Sequence, residues 1–326
     1  KLHYPAAFLA ALLNAQPMGF YSPNTLVADA RRHGVVVLGP DINLSDYGAT
    51  LCNVSAQMHP GGTNCAVTSS KPSTGPSEDS AQLGAQTPNC AEKSQVRVRL
   101  GLKEVRSVGE DLAKRIAAGR PYASMEDLVR RAGVPLPAVE ALATAGAFTE
   151  SLGLDRRQAL WAAGAVAQSR EGRLPGVVVG TDAPPLPAMS ESEIAAADLW
   201  ATGISADRHP VQFARPHLDA MGAVTVVGLA HEPHGRRVAL GGLVTHRQRP
   251  ATAQGVIFLN LEDETGMANV ICSAGVWARY RRLARTAPAL VVRGRLERAE
   301  GAINVVAETI EHLPLATTAP RSHDFH

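Results

Sequence analysis

Residues 96–120, VRVRLGLKEVRSVGEDLAKRIAAGR, restrict what this chain can fold into more than any other stretch. Val96, Val98 and Leu100 alternate with Arg97 and Arg99, a period-two pattern that predicts a strand. A turn follows at Arg106-Ser107-Val108-Gly109. Val105, Val108, Leu112 and Ile116 then recur every three or four residues, so they share one face of a helix. Gly109 permits a tight bend at the helix start, where unpaired N–H groups and the positive end of the helix dipole face outward. Such an end suits an anion, phosphate above all. Lys103, Arg106, Lys114 and Arg115 surround it. Over residues 93–131, ten Lys and Arg oppose five Asp and Glu, a local charge of +5 in a chain whose formal net charge is +2. An ordinary amphipathic helix behind a glycine turn fits the same residues, and the downstream sequence decides between the two.

Downstream, the theme repeats. Ser124 caps the helical pattern SMEDLVRRAG, with Asp127 in the capping-box position. Residues 136–143 lead into a second hairpin-like turn, Thr144-Ala145-Gly146-Ala147-Phe148, and residues 156–168 predict a further helix. Two such units in tandem read as a helix-hairpin-helix domain over 93–168, a device that grips the nucleic-acid backbone without reading bases. Its candidate contacts are Lys103, Arg106, Ser107, Val108, Gly109, Lys114 and Arg115.

With 326 residues, 45% of them hydrophobic, the chain is long enough for two or three domains. Aromatic residues make up only 4%, so the cores must rest on Val, Leu, Ala and Ile. Cys52, Cys65, Cys90 and Cys272 show no close pairing, which points to a reducing, cytoplasmic compartment. No apolar run approaches the roughly 18–20 residues of a membrane span. The chain begins at Lys1 inside an amphipathic pattern and is expected to be a piece of something longer.

Residues 1–48 predict a compact helical opening. Phe8, Leu9, Leu12 and Leu13 fall at helical spacing behind Tyr4-Pro5. Ser22-Pro23 starts a second helix that ends at Gly34, and residues 35–38 form a short buried strand. The block Leu13-Asn14-Ala15-Gln16-Pro17-Met18-Gly19-Phe20-Tyr21-Ser22-Pro23, within its 1–48 setting, resembles the end of the fingers region of bacterial C-family DNA polymerases, the alpha subunits of DNA polymerase III and their relatives. The resemblance is stronger to the error-prone, damage-inducible branch. In that family the first hairpin turn is usually Gly-Val-Gly, and Ser107 here replaces the first glycine. Its hydroxyl can donate to phosphate, but its Cβ limits the approach of the backbone.

Residues 49–92 depart from the pattern. Gly, Pro, Ser, Thr, Asn and Gln dominate, too little surface can be buried, and a disordered insert or linker is expected. Cys52, Cys65, Cys90 and His59 fall here, at gaps too wide for an ordinary zinc site. Residues 169–235 read as a connector carrying a short helix at 190–200 and the phrase ending His209-Pro210. With no Ser or Cys partner pattern, His209 is read as structural. From 236 to 315 the pattern is strands at 238–244, 256–261, 267–272, 289–296 and 303–310, with a helix at 275–285 between the third and fourth. That layout is an oligonucleotide-binding (OB) barrel. Residues 316–326 form a tail.

The fold class expected is therefore α+β and multidomain: a helical fingers remnant, a helix-hairpin-helix bundle and a five-stranded OB-fold β-barrel. In the barrel, Ile257, Leu259 and Leu261 read as core. Phe258 then faces outward for base stacking, with Arg247 and Arg249 just before its strand to hold the backbone. A bulge that inverted the register would bury Phe258 instead. Glu262-Asp263-Glu264 reads as a hairpin turn rather than a metal site, and in the family the same Leu-Glu-Asp-Glu-Thr-Gly phrase has no catalytic duty.

The resemblance implies a DNA-directed DNA polymerase as parent, active in translesion synthesis and SOS mutagenesis, with its Mg²⁺-binding carboxylates in a palm domain before Lys1. No Asp-x-Asp pair occurs in this chain, so it is expected to bind no cofactor and to be inactive alone. The implied partners are duplex DNA at the hairpins and single-stranded DNA at the barrel, with no membrane. The rival reading makes the barrel a module that recruits damage-response polymerases or accessory proteins. NAD-dependent DNA ligase also joins an OB barrel to helix-hairpin-helix units, but there the barrel comes first and a four-cysteine zinc module intervenes. Limited proteolysis with a nonspecific protease is expected to cut first within residues 49–92 and spare the regions downstream; strong amide-exchange protection there would reveal a folded unit.

Overall fold

The computed structural model describes residues 3–19, 21–52, 96–168, 180–250, 255–299, 301–315 and 323–325. Helices α1 (Pro5–Asn14) and α2 (Pro23–Arg32) open it. Ser22 Oγ accepts the Thr25 N–H at 3.2 Å, which is the cap that the Ser-Pro pair predicts. Leu9, Leu13 and Val27 pack on a small sheet in which β1 (Val37–Leu38) runs parallel to β3 (Arg97–Arg99) and β2 (Thr50–Cys52) antiparallel to it.

Strand β2 corrects the expectation of disorder from residue 49. The Asn14 side-chain amide clasps Ala49, donating to its carbonyl at 2.9 Å and accepting its N–H at 2.8 Å. The strand then satisfies the open edge of β3. Cys65, Cys90, His59 and the remainder of that segment lie outside the described residues.

A helical body follows, built from α3 (Glu110–Ala118), α4 (Met125–Ala132), α5 (Leu136–Thr144), α6 (Thr149–Leu152) and α7 (Arg156–Val166). Its core holds Ile116, Leu128, Leu142 and Phe148, all fully buried, together with the predicted stripe Val105, Val108 and Leu112. Helix α8 (Glu191–Thr202) belongs to this body rather than to a loose connector. Ala201 enters the core, and Asp198 meets Arg156 at 2.7 Å. Burial lifts the Asp198 carboxyl to about 6, with Arg156 pulling the other way.

Five strands then close a barrel: β5 (Arg237–Gln248), β6 (Ile257–Glu262), β7 (Met267–Cys272), β8 (Ala289–Ala299) and β9 (Ala302–His312), in the cyclic order β5-β6-β7-β9-β8. Strands β7 and β9 are parallel, and α10 (Ala274–Thr286) makes the crossover between β7 and β8. This is the five-stranded OB fold, with every expected strand and the helix in place. At a bulge between Arg293 and Gly294, β8 and β9 approach so closely that a Cβ on Gly294 would lie 2.0 Å from the Val306 carbonyl oxygen. Part of the expected connector also packs on the barrel. Helix α9 (Arg215–Ala220) covers Gly241, while β4 (Ala223–Val224) pairs with β5, as does β10 (His323–Phe325). None of the described helices is long and apolar enough to cross a membrane.

The turn after β6 joins helices to barrel. Glu262, fully buried, accepts from Thr25 Oγ1 at 3.0 Å and pairs with Arg32 at 3.3 Å. Burial raises its carboxyl. Asp263 accepts the Thr265, Gly266 and Val226 N–H groups and pairs with Arg215, which also binds Glu264 at 2.7 Å. The trio is therefore a hairpin turn, as expected, and also a clasp.

His209 lies buried beside this clasp, its Nδ1 accepting the Val211 N–H at 3.3 Å. Burial pushes its imidazole down to about 3, so it stays neutral where a general acid–base catalyst would titrate. Between about pH 6.5 and 3 the unfolded chain takes up a proton that the folded chain refuses, so this residue costs stability as pH falls. Asp198 acts in the opposite sense, because its folded carboxyl binds a proton before the unfolded one does. Thermal midpoints measured from pH 7 to pH 4 should fall less steeply for His209→Asn, which keeps an acceptor for the Val211 N–H, than for the native chain. Parallel curves would show that His209 does not titrate across unfolding.

Candidate nucleic-acid interface

The first hairpin is open. Ser107 adopts φ +62°, in the left-handed region, and Gly109 an extended φ of −68°. The tight bend that the sequence places at Gly109 thus occurs two residues earlier, at the serine. Space around Gly109 is empty, since a Cβ there would meet nothing within 4 Å. Gly109 is the N-cap of α3 and brings no side chain to the first-turn N–H groups. Arg106, Ser107, Gly109, Lys114 and Arg115 are exposed around it, and Lys103 is half-buried.

Val108 differs from its expected role. Its side chain is core, and its N–H is spent on the Val105 carbonyl at 3.0 Å. The cations are partly committed as well. Lys114 holds Glu110 at 2.6 Å, Lys103 donates to the Asn14 carbonyl at 3.1 Å, and Arg115 donates to the Ala132 carbonyl at 3.3 Å. Both lysine ammonium groups lie over the Tyr47 ring, 5.4 and 5.2 Å from its centroid. Glu110 and Asp111 occupy the first turn of α3, where they favour the helix but oppose an incoming anion.

The second hairpin is sealed. Gly146 takes φ +76°, and a Cβ there would sit 2.9 Å from Arg156 Nε. Arg156 donates to the Thr144 carbonyl, the Ala147 carbonyl accepts from the Ile42 N–H, and Phe148 fills the core. Of the two turns legible in the sequence, only the first offers free backbone.

On the barrel, the β6 alternation is kept. Ile257, Leu259 and Leu261 are buried, while Phe258 and Asn260 are half-buried on the outer side. Phe258 neighbours Ile271 of β7 and Gln248 of β5, and Asn269 and Asn304 continue the same face. The bulge feared for β6 lies in β5 instead, between Val244 and His246. It brings Arg247 opposite the core residue Leu259, so the arginine turns inward, only 7% exposed, and donates to the Ala284 and Ala287 carbonyls at the end of α10 at 2.7 and 2.6 Å. Arg247 thus serves as a helix cap and does not reach the outer face. Arg249 is exposed past the strand end. Tyr47 and Trp200, which flank the first hairpin, escaped sequence reasoning, because no local spacing links them to residues 103–115.

A helix-hairpin-helix motif family matches residues 34–159, and an OB-fold nucleic acid binding domain family matches residues 238–313. An error-prone DNA polymerase from Mycolicibacterium paratuberculosis is 52% identical over all of this chain, and one from Nocardia farcinica is 50% identical over all of it. The chain spans about a quarter of the length of these relatives, 26% in each case. Among solved structures, asparaginyl-tRNA synthetase from Pyrococcus horikoshii aligns over 29% of this chain and 24% of its own at 22% identity, with a TM-score of 0.25.

The left-handed conformation costs a residue with a side chain about 1–2 kcal/mol, offset in part by the ~0.5–1 kcal/mol of extra entropy that glycine loses on folding. Ser107→Gly should therefore raise the thermal midpoint by the equivalent of about 0.5–1 kcal/mol. Its duplex affinity should hold or rise as the Cβ is removed. A drop in affinity would assign the contact to the serine hydroxyl.

Proposed function

We infer that this chain, which belongs with the error-prone branch of the C-family DNA polymerases, is a DNA-holding segment of such an enzyme. The observation that carries the inference is the first hairpin, an uncapped helix start ringed by cations and open to solvent. Duplex backbone binds there through phosphate contacts, without sequence preference. A single strand crosses the outer face of β6 and β7, its bases stacking on Phe258. The parent polymerase copies damaged template in the cytoplasm, and this segment keeps template and primer in register with a catalytic centre carried elsewhere.

Two measurements test this. With about four phosphates contacted, log K for duplex should fall against log salt with a slope of about −3 to −4; a flat response would sink the hairpin reading. Phe258→Ala should weaken single-stranded DNA binding by about tenfold, from the loss of ~1–3 kcal/mol of stacking, with little change in thermal midpoint. If single-strand binding survives the substitution, the outer barrel face is left to a protein partner.

A further inference from the structure

Trp200 stands near the end of α8 with 43% of its surface exposed, and the Arg106 guanidinium lies over its ring, 4.9 Å from the centroid. The next residue, Ala201, accepts the Arg106 backbone N–H at 2.7 Å. Helix α8 therefore fixes both the main chain and the side chain of the residue that opens the hairpin turn. The helix is itself anchored by the Arg156–Asp198 pair. Among the described residues, Arg106 has no carboxylate partner, whereas Lys114 is held by Glu110 and Lys103 lies 4.0 Å from Glu104.

We propose that Trp200 is a positioning residue for DNA, holding the Arg106 guanidinium over its ring beside the hairpin so that the cation is already ordered when it meets a backbone phosphate. The chemistry of guanidinium makes the two contacts compatible. The ring draws on the positive charge of the guanidinium and occupies one side of it, while its five N–H donors fork outward and leave others for phosphate oxygens. An arginine held this way loses less rotamer freedom on binding than a free one. A lysine ammonium, a point charge on a flexible stem, would not gain in the same way. The proposal rests on the reading of the first hairpin as a duplex site.

The experiment is a salt-dependent titration of the full chain with fluorescein-labelled duplex. Arg106→Ala should weaken binding and reduce the salt slope by about one. Trp200→Ala should weaken binding by about threefold to tenfold, and the Arg106→Ala/Trp200→Ala double variant should bind no worse than Arg106→Ala alone. Trp200→Tyr should retain most of the affinity and Trp200→Leu should not, which separates a ring face from mere bulk. Thermal midpoints taken alongside check folding, and the Tyr–Leu comparison decides the matter if Trp200→Ala proves unstable. Native-like binding by Trp200→Leu, or losses that multiply in the double variant, would overturn the positioning role. Absence of salt-dependent duplex binding by the native chain would bring down the hairpin site itself along with it.

Discussion

The acidic turn at the end of β6 is the joint on which the arrangement of the molecule depends. A fully buried carboxylate is tolerable only if it is paired and hydrogen-bonded, and Glu262 draws both from α2, a charge partner in Arg32 and a hydroxyl donor in Thr25. Asp263 and Glu264 do the same for the segment leading into the barrel through Arg215. Removing one partner would leave a buried charge uncompensated, so the acidic residues fix helices against barrel more by the cost of leaving than by the gain of arriving.

The same reasoning explains why one hairpin is available to a ligand and the other is not. Both turns carry a glycine between helical segments, but Gly146 lies beneath Arg156, which α8 holds through Asp198. Ser107 and Gly109 face solvent, with α8 reaching them only at Ala201 and Trp200. One helix thus closes the second turn and arms the first.

The barrel was legible almost residue by residue, because period-two alternation over strands of six or more residues is a strong local signal. The stripe Val105, Val108, Leu112 and Ile116 was equally plain and is wholly buried. What the sequence hid was tertiary. No local pattern says that a bulge at Val244 turns Arg247 inward, that residues 50–52 complete a sheet with residues 97–99, or that Trp200 lies beside Arg106. Composition alone misplaced the start of the insert, since a three-residue strand needs a partner edge and not a hydrophobic run. At the hairpin, the sequence points to Gly109 for the tight bend, whereas the chain makes it at Ser107 in the left-handed conformation.

The Arg32–Glu262 contact spans 230 positions in the chain. During synthesis the N-terminal helices leave the ribosome long before β6 exists, and at about 5–20 residues per second the wait lasts on the order of ten seconds or more. Throughout that interval Arg32 and Thr25 remain hydrated, and the surface that will receive Glu262 stays wet. The helical body and the barrel can each gather their own cores first, and their union then becomes a docking step between preformed parts. A nascent chain stalled before residue 262 would expose that receiving surface, and chaperones would meet it there with no barrel yet made to cover it.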